Sequence, residues 1–342
     1  MKRIAVGASL VLAVLTLASF IAGQAQKAFN QLPQGVPELQ IQPPRLDAGA
    51  RLNPLKVALL KWYAANRVPT GFPVGKEPEG VAFDGANIWT ANFGDGTISK
   101  LRASDGASQG TFTVGGSPTG LIFDGASIWV TNSTGANLTK VRASDGTIIG
   151  NFTVGAGLFW GTFDGADIWV TTGTSSGSGY ANKVRASDGK ILGTFSVGPY
   201  PIAAAFDGAN VWITDQGNAT VTKLRASDGV VLGTFGVGLE PTGIAFDGAN
   251  VWTANRGDGT VSKLRASDGT VLGTFPAGNL PYGIAFDGEN IWVTAGLQLA
   301  ELRASDGKTL RVFYAHTNFT GVAFDGANVW VAGYNNNKIG KM

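Results

Sequence analysis

The chain has 342 residues, of which 50 are glycine and none cysteine, with 26 basic and 24 acidic side chains. Only 15% of residues are charged and 44% are hydrophobic, which excludes a charged disordered polymer, and glycine lacks the three-residue period of collagen. Without cysteine there are no disulfides, thiolate metal sites or thiol nucleophiles, and the near-balanced charge provides no footprint for nucleic acid.

Met1-Lys2-Arg3 is a short cationic start, followed by an apolar run over 4–22 and the small residues of Gly23-Gln24-Ala25. This pattern predicts a signal peptide over 1–25, cleaved after Ala25, and export to the periplasm or the exterior. The alternative is an uncleaved anchor, because the apolar run is nearly long enough to span a bilayer. Residues 26–67 begin as a tether rich in proline (Pro33, Pro37, Pro43, Pro44). Asn53-Pro54 then fits a helix cap and first turn, and Leu55, Leu59 and Trp62 fall on one face of the short helix predicted to follow.

From residue 68 the chain repeats itself. Phe-Asp-Gly begins at Phe83, Phe123, Phe163, Phe206, Phe246, Phe286 and Phe324, at spacings of 40, 40, 43, 40, 40 and 38. A tryptophan follows each phenylalanine by six residues, and Ala-Ser-Asp-Gly begins at Ala103, Ala143, Ala186, Ala226, Ala266 and Ala304. Within 242–278, Asp-Gly turns separate four short apolar runs, the strongest local signal for hairpins. Four antiparallel strands in about 40 residues make a propeller blade. The seventh repeat supplies three strands, around Phe324, Trp330 and Ile339, and Thr70 to Gly75 matches the missing fourth. The reading is an all-β, seven-bladed β-propeller over 68–342, its N-terminal strand closing the last blade.

Ile128-Trp129-Val130-Thr131-Asn132, and Thr253-Ala254-Asn255 running on to Gly259-Thr260-Val261, resemble YVTN-type β-propeller repeats, with tryptophan in place of the eponymous tyrosine. The resemblance covers 68–342 and extends to the streptogramin (virginiamycin B) lyase-like and surface-layer propellers of bacteria and archaea. It implies either a binding scaffold or a magnesium-dependent lyase that uses a propeller-face histidine with glutamates. This chain departs from the lyase pattern, since Tyr314 rather than glutamate lies two residues before His316.

The repeats act as an internal alignment. Positions shared by every blade are assigned to building it: the aspartates to turns, the tryptophans to packing between blades, and the third-strand arginines to pairing with turn aspartates. What differs is the loop leading into each blade, which places Glu77, Glu79, Phe159, Trp160, Tyr200, Glu240, Tyr282, His316, Asn318 and Phe319 on one face. A site is expected at the channel mouth on that face. The first expectation is a cofactor-free monomer binding a small molecule, a glycan or an envelope protein there, with no membrane contact beyond the signal segment. The alternative is a lyase with His316 as the catalytic group and Glu77 and Glu79 holding Mg2+.

Overall fold

The computed structural model describes residues 70–173 and 177–342; the predicted signal segment, tether and helix lie outside them. The described residues form seven four-stranded antiparallel sheets. Blade 5 shows the unit: Pro241–Phe246, Asn250–Asn255, Thr260–Arg265 and Val271–Pro276. Its second and third strands are buried on both faces because flanking blades cover them. The fourth strand alternates exposed and half-buried residues, since it forms the outer rim. The seventh sheet is Phe319–Phe324, Val329–Gly333, Lys338–Lys341 and, from the other end of the chain, Thr70–Pro73. Thr70 pairs with Lys341 and Pro73 with Lys338, so the ring closes as its repeat phase predicts.

Each Phe-Asp-Gly aspartate does two jobs. In blade 5, Asp247 Oδ1 accepts the backbone N–H groups of Ala249 (2.9 Å) and Asn250 (2.6 Å), which fixes the turn. Asp247 Oδ2 accepts Trp252 Nε1 at 2.8 Å, which fixes the ring. The same indole-to-carboxylate bond recurs in all seven blades. Burial alone would raise the carboxyls of Asp84, Asp207, Asp247 and Asp325, but these donated hydrogen bonds outweigh it and hold them below the usual range.

The oriented rings fill the seams between sheets. Trp252 packs with Ile291, Val293 and Leu302 of blade 6, and six of the seven repeat tryptophans are fully buried. The third-strand arginines pair with turn aspartates as the sequence predicts, for example Arg265 with Asp268 at 2.9 Å. The neighbouring lysines have a role that sequence reasoning left open. Lys263 is buried with its ammonium 5.0 Å from the Trp252 ring centre, and it donates to Ala304 O of the next blade at 2.6 Å. Lys341 repeats this across the closure, donating to Ala103 O at 2.6 Å. Blade 6 alone has a carboxylate at this register: Glu301 is opposite Trp292 and pairs with Arg311.

Candidate functional site

Every first strand starts on the variable face, and Pro-x-Gly or a close variant opens it or, in blade 3, leads into it at Gly161. The two inner strands slip register just after the proline, as between Pro281 and Ile284 in blade 6. The slip frees backbone groups, and a second-strand threonine takes them up: Thr294 Oγ1 accepts Gly283 N–H at 2.7 Å and donates to Thr320 O of blade 7 at 2.6 Å. Glycine is needed because neighbouring inner strands nearly touch. A Cβ on Gly243 would lie 2.5 Å from Tyr282 O, and one on Gly283 would lie 2.5 Å from Thr320 O. Seven backbones thus converge on the axis, and the x side chains form a tier at the mouth.

That tier reads Glu79, Thr119, Trp160, Ile202, Thr242, Tyr282 and Thr320. The three threonines are structural, each hydroxyl reaching a carbonyl of the next blade; Thr320 Oγ1 donates to Pro78 O at 2.7 Å and Thr242 Oγ1 to Tyr282 O at 3.1 Å. Thr119 Oγ1 donates to Leu158 O at 3.3 Å. Four positions are left with chemistry of their own.

Trp160 and Tyr282 meet edge to face with ring centres 5.0 Å apart. Blades 3 and 6 are not neighbours, so this contact crosses the axis. Trp160 Nε1 also donates to Thr119 O at 3.1 Å, which holds the ring in place. The indole caps a cavity of about 210 Å3 lined chiefly by the inner-strand glycines and by Val81, Ile244, Ile284 and Val322. A second aromatic pair, Phe159 with Tyr200 at 5.5 Å, stands on the rim. Both pairs are half-buried.

The polar groups gather beside these rings. Glu79 is half-buried, and no hydrogen bond or ion pair to its carboxyl is formed among the described residues. Burial, and secondly the charge of Glu77, push its carboxyl up to about 7. Tyr282 is raised by burial and then by Glu79, with Arg256 opposing. Tyr334 is raised by burial, by the charge of Glu77, by a hydrogen bond to that carboxylate, and by Glu79. Glu77 N–H donates to Asn337 Oδ1 at 3.1 Å, so blades 7 and 1 do adjoin here.

The remaining predicted residues scatter. Glu240 is exposed and paired with Arg256 at 3.0 Å. Asn318 is exposed, and its carbonyl accepts Tyr334 N–H at 2.8 Å. Phe319, expected on the binding face, is instead buried with Trp292, Leu299 and Val331; it opens the first strand of blade 7 opposite Gly333, so its side chain turns into the seam. His316 is exposed. Together with Glu77 and Glu79 it does not form a ligand set: among the described residues no three His, Asp or Glu side chains lie close enough to share a metal ion.

No protein-family model matches the chain, and no curated protein matches it in sequence. Solved structures do match. A streptogramin B lyase is 20% identical with a TM-score of 0.69, over 80% of this chain and 96% of that one. The virginiamycin B lyase of Staphylococcus aureus is 19% identical with a TM-score of 0.68, over 80% and 98%. The fold is that of the streptogramin B lyases. The hydrazine synthase of Kuenenia stuttgartiensis, 15% identical with a TM-score of 0.69 over 81% and 97%, shares it too, so the likeness carries architecture alone. Within this lyase-like propeller the sequence pointed to Glu79, Trp160 and Tyr282 but missed Ile202, Arg256 and Tyr334. Arg256 and Tyr334 both directly follow a second strand, at a register where the blades differ; comparing that register would have found them.

Proposed function

We propose that this protein is an exported binding scaffold that takes a small organic ligand at the mouth of its channel. The observation that carries the reading is the Trp160–Tyr282 pair across the axis. Blades that repeat nearly every other residue give up uniformity at the x position, and there they present half-buried aromatic surface beside an unpaired carboxyl. Aromatic walls with one or two polar groups are the usual make-up of a ligand pocket, and such rings contribute affinity by desolvation and stacking. The rim pair Phe159–Tyr200 widens the apolar surface for a ligand that overhangs the mouth.

Ligand-observed NMR with a fragment mixture of saccharides, amines and small aromatics tests this. At least one fragment is expected to bind wild type and to lose binding in Trp160→Ala and Tyr282→Ala, with melting temperatures showing both variants folded. Absence of any bound fragment, or binding indifferent to both substitutions, would sink the reading.

A lyase is a second reading, favoured by Glu79, whose carboxyl near 7 is suited to a general base. Turnover of a streptogramin B that vanishes in Glu79→Gln would establish it, and lack of turnover at micromolar enzyme would dismiss it.

A further inference from the structure

The propeller contains, six times over, a worked example of what its mouth lacks. In each of six blades a tryptophan donates its indole N–H to an aspartate while a lysine ammonium stands 4.9 to 5.4 Å from the ring centre. In blades 2 and 3 that ammonium also lies 3.8 Å and 3.9 Å from the same aspartate. Ring, carboxylate and cation form one unit, in which the ring face and the anion both attract the positive charge.

The mouth has the ring and the anion without the cation. Trp160 and Tyr282 supply the aromatic faces, and among the described residues no lysine or arginine stands over either ring. Among the described residues Glu79 supplies a carboxyl without an ion-pair partner, and Glu77 adds a second one beside Tyr334. The nearby basic side chains are engaged elsewhere: Arg256 with Glu240 at 3.0 Å and Lys76 with Asp95 at 3.7 Å. A half-buried carboxyl crowded by a second one is an unfavourable arrangement for the empty protein. An incoming positive charge relieves both the desolvation and the crowding.

We propose that the ligand of this mouth is an organic cation, a compound whose amine or quaternary ammonium group sits against Glu79 and the free ring surface of the Trp160–Tyr282 pair. This rests on the ligand-binding reading above and narrows it to one chemical class. A neutral sugar would find the stacking surface, but it would leave the carboxyls uncompensated.

The discriminating pair of probes is choline and 3,3-dimethylbutan-1-ol, which share a shape and differ in one charge. Titration calorimetry with the full chain at pH 8 is expected to show choline bound at least tenfold more tightly than its neutral isostere. Glu79→Gln, which keeps shape and hydrogen-bonding capacity, is expected to abolish that preference while binding of the isostere is unchanged. If both probes bind within twofold of each other, or if only the isostere or a methyl glycoside binds in a Trp160-dependent way, the cation proposal falls and the binding reading stands. If none of the probes binds and the fragment mixture is also silent, both fall.

Discussion

The two ends of the central channel are built by opposite rules. At the turn face all seven blades repeat Phe-Asp-Gly and the indole it holds, and the six complete ones repeat Ala-Ser-Asp-Gly. At the opposite face the residue at the x position is glutamate, threonine, tryptophan, isoleucine or tyrosine, depending on the blade. A ring of sheets needs the same seam everywhere, so repetition marks the groups that build seams. Departure from the repeat marks positions that no seam constrains. The difference therefore separates structure from chemistry in a single chain.

If the turn face is purely structural, its substitutions should cost stability and leave mouth binding untouched. Trp252→Ala should show the largest effect, a loss of about 3–5 kcal/mol, because it empties a buried seam and strips Asp247 of its indole donor. Urea unfolding would measure this, and a loss under about 1 kcal/mol would mean the seams are not packed as described. Next is a departure on the variable side. Asp215 is fully buried where blades 1, 2 and 5 have Asn92, Asn132 and Asn255. Burial raises its carboxyl to about 6, against hydrogen bonds from Thr222, Thr220 and the Gly198 N–H. A raised folded-state value means ionisation opposes folding, so the cost is absent below the ordinary aspartate value of 3.8, grows as pH rises, and is complete above about 6. Asp215→Asn should accordingly stabilise by on the order of 3 kcal/mol at pH 8 and by almost nothing at pH 4. The new amide can donate to Thr222 as Asn255 donates to Ser262 at 2.9 Å. Stability profiles of the two proteins that stay parallel across this range would refute the burial argument.

A smaller effect is expected at the turn-face lysines. Lys223→Met should cost about 2 kcal/mol, since Lys223 donates to Ala266 O at 2.6 Å and lies 4.9 Å from the Trp212 ring centre. An unchanged unfolding midpoint would show that the ammonium adds nothing to the seam. The smallest is Arg142→Ala. Its pair with Asp145 is half exposed at both ends and screened by solvent, so the midpoint should not move measurably; a clear drop would show that the arginines also join blades.

The sequence made the ring legible because the period near 40 and the phase of its ends dictate it. It also located the mouth, since Glu79, Trp160 and Tyr282 stand out once the shared positions are removed. What it could not show was distance across the axis. Trp160 and Tyr282 are 122 residues apart, and only closure of seven blades brings their rings together. Phe319, like Trp160, is an aromatic in a variable leading loop, yet it is one residue earlier relative to the following glycine than Trp160, and that shift turns it into the core. Glu301 interrupts the lysine series. The structure supplies the reason: the lysines donate to the Ala-Ser-Asp-Gly hairpin of the next blade, and blade 7 has no such hairpin because its last two strands come from opposite ends of the chain. With no carbonyl to receive an ammonium, a carboxylate balanced by Arg311 fits there instead.

The pairing of Thr70–Pro73 with Lys338–Lys341 works as a clasp. It joins segments 271 positions apart, yet loop entropy grows only logarithmically, so tying so long a loop costs only about 2 kcal/mol more than tying one blade. The demand it makes is on timing. During synthesis the blades can stack one on the next as they emerge, but the arc they form has two open ends until Lys338–Lys341 arrive. Ring closure is then a single late step, and it is the step that brings Glu77 of the first blade against Tyr334 of the last.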